Sequence, residues 1–106
     1  MENDYKQEII QRIATLRTQN NLSARKLSDV IGKNYGYIHK LENSKDFLPT
    51  LDTLHDLLDV CHSSFDEFFY YDMKQYKEDK EIIDLLSNAD EESKKAIITM
   101  LKKVKK

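Results

Sequence analysis

The stretch that decides the fold is Ser23–Asn43, SARKLSDVIGKNYGYIHKLEN. It reads as helix, tight turn, helix. Ser23 suits the N-cap of a first short helix, because its hydroxyl can accept one of the N–H groups that a first turn leaves unpaired. Leu27 and Ile31, four residues apart, give that helix one apolar side. Gly32 ends it, since glycine takes the left-handed conformation of a helix C-terminus without steric cost. Asn34 is placed to cap a second helix, in which Ile38 and Leu41 face inward at a spacing of three. The outward face of this helix, at about 34–43, carries Tyr35, Tyr37, His39 and Lys40, with no acid before Glu42. A face so rich in hydrogen-bonding and aromatic groups is built for contact, and nucleic acid is the first candidate.

Outward from this core the pattern stays helical. Ile9, Ile13 and Leu16 form one stripe of a helix from Tyr5 to about Asn20, with Arg17 beside it. Asn20-Asn21 breaks that helix, and Leu22 is expected in the core beneath the turn. Ser44 to Pro49 is a loop anchored by Phe47 and Leu48. Thr50 caps a fourth helix whose inward stripe is Leu51, Leu54, Leu58 and Cys61, and His62 ends it where glycine is more usual. Ser64-Phe65-Asp66-Glu67 matches a capping box. It opens a short fifth helix whose Phe65, Phe68 and Phe69 are expected to close the core. From about Tyr71 the chain turns polar, then apolar at Ile82, Ile83, Leu85 and Leu86. Asp90 is placed to cap a last helix with Ile97, Met100, Leu101 and Val104 on one face. The expected architecture is all-α: a five-helix domain over 5–71, then a C-terminal helical hairpin over 72–106 for dimerisation or partner binding.

Composition bounds the function. A chain of 106 residues allows one small domain with an appended element, and one Pro with two Gly argues for helices over strand turns. No apolar run approaches the roughly 18 residues of a membrane helix. The start, MENDYKQE, is polar and acidic, unlike a signal peptide, and one cysteine forms no internal disulfide. A cytoplasmic protein is expected. The net charge is −2, but residues 5–45 hold 8 basic and 3 acidic side chains, and residues 46–72 hold 7 acidic and no basic ones. Affinity for phosphate depends on the face presented, so a basic first half suffices.

The register from Arg12 to Phe69 resembles the phage-repressor/Cro type of helix–turn–helix domain, the xenobiotic-response-element family. The resemblance rests on Leu16-Arg17, Leu22-Ser23, Gly32, Leu41-Glu42-Asn43, Pro49 and the final Ser64–Phe69. It implies a third helix lying in the major groove with the second crossing above it, in a transcriptional regulator, a repressor by expectation. The family's base-reading positions fall on Asn34, Tyr35, Gly36, His39 and Lys40. Its phosphate-clamping positions fall on Ser23, Tyr37, Asn43 and Lys45, with Arg25 and Lys33 as further basic contacts. Lys40 suits guanine O6/N7, Asn34 suits adenine N6/N7, and tyrosine rings suit thymine methyls. Arg17 and Glu42 stand where the family resembles a partly buried ion pair joining the first and third helices.

Two positions depart from the family. Ala24 stands where glutamine often grips a phosphate, and Arg25 is the candidate substitute. Gly36 falls inside the expected recognition helix, where it costs about 1 kcal/mol against alanine; it either lets the backbone approach DNA closely, the favoured reading, or is tolerated because the helix is short.

Other chemistries find little support. His55, Cys61 and His62 lack zinc spacing, so no metal or cofactor is expected and Cys61 reads as a small buried apolar residue. No constellation suggests an enzyme. Asp52, Asp56 and Asp59 read as a solvated back surface. Readers of this type commonly pair to meet two half-sites, so a homodimer on double-stranded DNA is expected. The rival is an antitoxin or other interaction module whose C-terminal hairpin binds a protein partner.

Overall fold

The computed structural model describes residues 4–104. Among these the chain forms seven helices and no strand: α1 (Asp4–Gln19), α2 (Ala24–Val30), α3 (Tyr37–Glu42), α4 (Leu51–Val60), α5 (Phe65–Phe68), α6 (Met73–Ser87) and α7 (Glu91–Val104). The chain divides between Phe69 and Tyr70 into two compact units.

The first unit holds the core. Ile13, Leu27, Ile38, Leu41, Leu57 and Phe68 are wholly buried, with Ile10, Leu16, Leu54, Leu58 and Cys61 nearly so. Each such side chain contributes roughly 1.5–3 kcal/mol relative to an exposed one. Several inward positions differ from the sequence reading. In α1 the stripe turns toward Ile10, leaving Ile9 half-buried, because the same face must also carry Arg17 to α3. In α4 Leu57 is buried and Leu51 is 72% exposed; Leu51 is the first helical residue and lies beyond the contact. Of Phe65, Phe68 and Phe69, only Phe68 is buried. Phe69 packs its ring edge-on against Phe68 and stacks parallel to Phe65, both on the surface side.

The helix ends follow local chemistry. The hydroxyls of Ser23, Thr50 and Ser64 accept from the backbone N–H groups of Lys26, Thr53 and Glu67. The box at Ser64 is half made, since Glu67 Oε1 accepts from the Ser63 hydroxyl at 3.1 Å. Asn21, Gly32 and His62 take left-handed φ values of 56°, 76° and 58°, so His62 performs the helix-ending turn usually given to glycine.

The start of α3 departs most from the sequence reading. Asn34 Oδ1 accepts from Gly36 N at 2.9 Å in a turn before the helix. Gly36 is the N-cap rather than an interior residue, and no side chain from its own segment caps α3. The cost expected for an interior glycine therefore does not arise. The capping group comes from α2. Ser28, wholly buried, donates its hydroxyl to Ala24 O at 2.8 Å and accepts from Ile38 N at 3.0 Å. One hydroxyl thus satisfies an orphan N–H of α3 and joins the two helices across the turn. Ile31 is only half-buried, so Ser28 shares with Leu27 the inward side expected of Ile31.

The second unit is α6 and α7, joined by Asn88–Asp90. Asp72 accepts from Lys74 N and starts α6; Asp90 accepts from Ser93 N at 2.7 Å and starts α7. That bond holds the Asp90 carboxyl below its usual range. Asp79 accepts from the Tyr70 hydroxyl and from Gln75 Nε2, and the hydrogen bond from Tyr70 pushes that phenol up to about 12. Among described residues of this unit only Tyr76 is buried. Ile82, Leu85, Ile98, Met100, Leu101 and Val104 are 52–67% exposed, so the apolar face expected at the C-terminus is uncovered.

Removing the Ser28 hydroxyl should strand the Ile38 N–H in the core. Ser28→Ala is expected to lower stability by about 1–2 kcal/mol, read by urea unfolding. A change under about 0.3 kcal/mol would show that the bridge is dispensable.

Candidate nucleic-acid interface

The interface is assembled from the first turn of α2, the turn at 34–36, the outer side of α3 and the loop after it. Helices α2 and α3 pack against each other, and α3 packs on α1. A bidentate ion pair fixes this arrangement. Arg17 Nε lies 2.7 Å from Glu42 Oε2 and Arg17 Nη2 lies 2.9 Å from Glu42 Oε1. Arg17 Nη1 donates to Leu22 O at 2.8 Å. The side chains are 18% and 14% exposed. One guanidinium therefore joins the end of α1, the turn into α2 and the last residue of α3. The hydrogen bond to Glu42 raises the Arg17 pKa further above its ordinary value.

The positions expected to read bases are placed unequally. His39 and Lys40 are exposed on α3. Tyr35 is 65% exposed, with the Arg25 guanidinium over its ring at 4.8 Å. Asn34 is exposed, but its carbonyl oxygen is engaged by Gly36 N, so a bidentate contact to adenine requires that bond to be given up. Gly36 is half-buried, and a Cβ there would meet only Asn34 Oδ1, at 3.5 Å.

The expected phosphate set divides as well. Ser23 and Arg25, together with Lys26, Asp29 and Tyr35, line a shallow depression over the start of α2. Lys33 lies over the Tyr37 ring at 5.5 Å. Tyr37 is half-buried: its ring meets Phe47 edge-on at 5.7 Å, and its hydroxyl lies near the Thr53 side chain, on α4. Burial raises its pKa, partly offset by the Thr53 hydroxyl. Tyr37 thus holds α3 against the following loop and α4. Asn43 Nδ2 donates to His39 O at 2.8 Å and lies 3.4 Å from His39 Nδ1, closing the end of α3. Lys45 is exposed, and its carbonyl accepts, with that of Ser44, from the Gln7 amide of α1.

Sequence reasoning missed Gln7, Lys26 and Ser28. Lys26 follows Ser23 by three and was findable by helical spacing. Ser28 was visible as a polar residue beside Leu27. Gln7 acts across 37 and 38 residues, a separation that no local pattern reveals.

Charge is segregated around the site. The first turn of α2 carries Arg25 and Lys26, the turn between α2 and α3 carries Lys33, and the outer side of α3 carries Lys40. Exposed Asp56 and Asp59 line a different depression, beside Val30–Gly32 at the far end of α2. Burial pushes the Cys61 thiol up, away from the reactive thiolate. Among the described residues, no cluster of three or more His, Cys, Asp or Glu side chains is placed to hold a metal.

The family model of Cro/C1-type helix-turn-helix domains matches residues 13–68. The chain belongs to this family, whose members are DNA-binding regulators. Neither a curated protein nor a solved structure matches the chain at a significant level. Among the described residues no helix is long and apolar enough to cross a membrane.

Glu42→Ala leaves a largely buried guanidinium without its carboxylate and should cost about 3 kcal/mol in urea unfolding. Arg17→Lys, with Glu42 intact, should also lower stability, since an ammonium cannot reproduce the two-point contact. A Glu42→Ala protein of unchanged stability would show that the pair does not hold α3. Gly36→Ala, in contrast, should leave stability within about 0.5 kcal/mol, because its φ of −92° suits alanine. Weaker DNA retention by that variant would then report close backbone approach.

Proposed function

We propose that this chain is a cytoplasmic, sequence-specific transcriptional repressor that sets α3 in the major groove of double-stranded DNA. The observation that carries the reading is the exposed outer side of α3, with His39 and Lys40 on the helix and Tyr35 just before it, held by the Arg17–Glu42 pair and flanked by cations. In this reading Tyr35, His39 and Lys40 contact base edges directly. Asn34 joins them after releasing Gly36 N, and Gly36 admits the DNA backbone. Ser23, Arg25, Lys33, Asn43 and Lys45 contact phosphates, with Lys26 added by its place in the same depression. Tyr37 contributes chiefly by positioning α3. Two copies meet half-sites about one helical turn apart, paired through the C-terminal hairpin over 72–106, and block a promoter by occupancy.

A second reading draws on the uncovered apolar residues of α6 and α7. There the chain is an antitoxin or similar module whose C-terminal helices bind another protein.

Selection of bound sequences from a random DNA pool tests the first reading and gives the operator with its symmetry. Log affinity should fall linearly with log salt, with a slope of about −0.9 for each phosphate neutralised. Lys40→Ala should relax preference at one base position by about 1–3 kcal/mol. Lys45→Ala should weaken all sequences alike and reduce the salt slope by about one. Binding indifferent to salt, or no retention on any DNA, would favour the interaction module.

A further inference from the structure

The second unit is segregated in charge as well as uncovered. From Glu81 to Glu92 the chain carries five acidic side chains and no basic one; from Ser93 to Lys106 it carries six basic side chains and no acid. The exposed apolar residues divide in the same way. Ile82 and Leu85, 59% and 66% exposed, lie on the acidic segment at the end of α6. Met100, Leu101 and Val104, 58–67% exposed, lie on the basic segment in the last turns of α7. The two patches are therefore complementary in sign and alike in apolar character.

Within one molecule α6 and α7 make no extensive contact. Helix α7 runs unbroken for 14 residues, roughly 21 Å at about 1.5 Å per residue. A continuous helix holds its last turns away from the junction at which it begins. Like patches cannot meet between molecules either: two tails would set lysines against lysines, and two junctions would set carboxylates against carboxylates. Some of the junction's acids have local duties. Asp84 lies 3.2 Å from Lys80, and Asp90 caps α7. Glu81, Glu91 and Glu92 are exposed.

We propose that a second copy of this chain covers both patches, the last turns of α7 of each copy lying against the α6–α7 junction of the other. The arrangement is two-fold, so each contact occurs twice and the assembly closes as a dimer. Apolar contact between Leu85 and Leu101 and their neighbours supplies the attraction. The opposed charges set the direction and exclude the like-against-like pairing. This deepens the pairing proposed above and rests on it.

Charge exchange in the full chain tests the inference, with sedimentation equilibrium over a range of concentrations. The native chain should be a dimer. Glu81→Lys with Glu91→Lys and Glu92→Lys leaves two acids against three lysines at the junction, so both patches are basic; Lys102→Glu, Lys103→Glu, Lys105→Glu and Lys106→Glu together leave two lysines against four glutamates in the tail, so both are acidic. Each multiple variant alone should dissociate with a Kd raised about tenfold or more. An equimolar mixture of the two should recover the dimer, because both of its contacts are again complementary. Leu101→Ala with Val104→Ala keeps a strong helix former and should weaken the dimer with helicity by circular dichroism unchanged. A native dimer insensitive to the charge variants, or a mixture that does not recover, overturns the junction-to-tail arrangement while the pairing stands. A native chain monomeric at every concentration overturns the pairing itself. Assemblies that grow beyond two copies overturn closure. Retention on DNA carrying a single half-site, measured separately, reports the first unit.

Discussion

Six residues of helix cannot hold their own shape in water, where isolated helices shorter than about 12–15 residues are marginal. The contact between Arg17 and Glu42 is what gives α3 a fixed place. It comes from the last turn of α1, the longest helix of the first unit, and it grips the last residue of α3 at two points. Burying such a pair has a desolvation cost that its mutual attraction only partly offsets. Its contribution is geometric: it defines which side of α3 faces out. Ser28 performs the same task at the opposite end, tying the start of α3 to α2. Between these two ends, Ile38 and Leu41 need only fill the core.

The segments around α3 extend that logic. Tyr37 leans on Phe47 and Thr53, so the recognition helix is joined to the loop and to α4. Gln7 draws the carbonyls of Ser44 and Lys45 toward α1. The exposed residues of the interface thus stand on a short helix whose inward side, first turn and last turn are all engaged elsewhere. A loop carrying the same side chains would have no such support.

Much of this was legible in the sequence because it rests on local chemistry. Ser23, Thr50, Ser64 and Asp90 start helices by bonding N–H groups three residues ahead, and Gly32 and His62 turn by backbone conformation. Such features are written within a few neighbouring residues. The errors arose where tertiary contact chooses between neighbours. Ile10 displaced Ile9, and Leu57 joined the core while Leu51 stayed outside, since an apolar residue at a helix edge can go either way until the facing helix is placed. The start of α3 was misplaced because its capping group is supplied from α2. The Arg17–Glu42 positions came from family resemblance; their spacing of 25 residues carries no periodic signal. In the C-terminal unit, local spacing identified the helices but could not say that their apolar faces lie uncovered.

The stack of Arg25 on Tyr35 has a consequence for binding entropy. An arginine side chain carries about 2 kcal/mol of rotamer freedom, much of which a free surface arginine forfeits on meeting its target. Lying over the tyrosine face at 4.8 Å, the guanidinium already has its place restricted. Arg25 stays exposed, so an anion can meet it there. Some of the ordering that a partner would otherwise impose is done by the fold in advance, and by an aromatic residue that is itself among the candidates for contact.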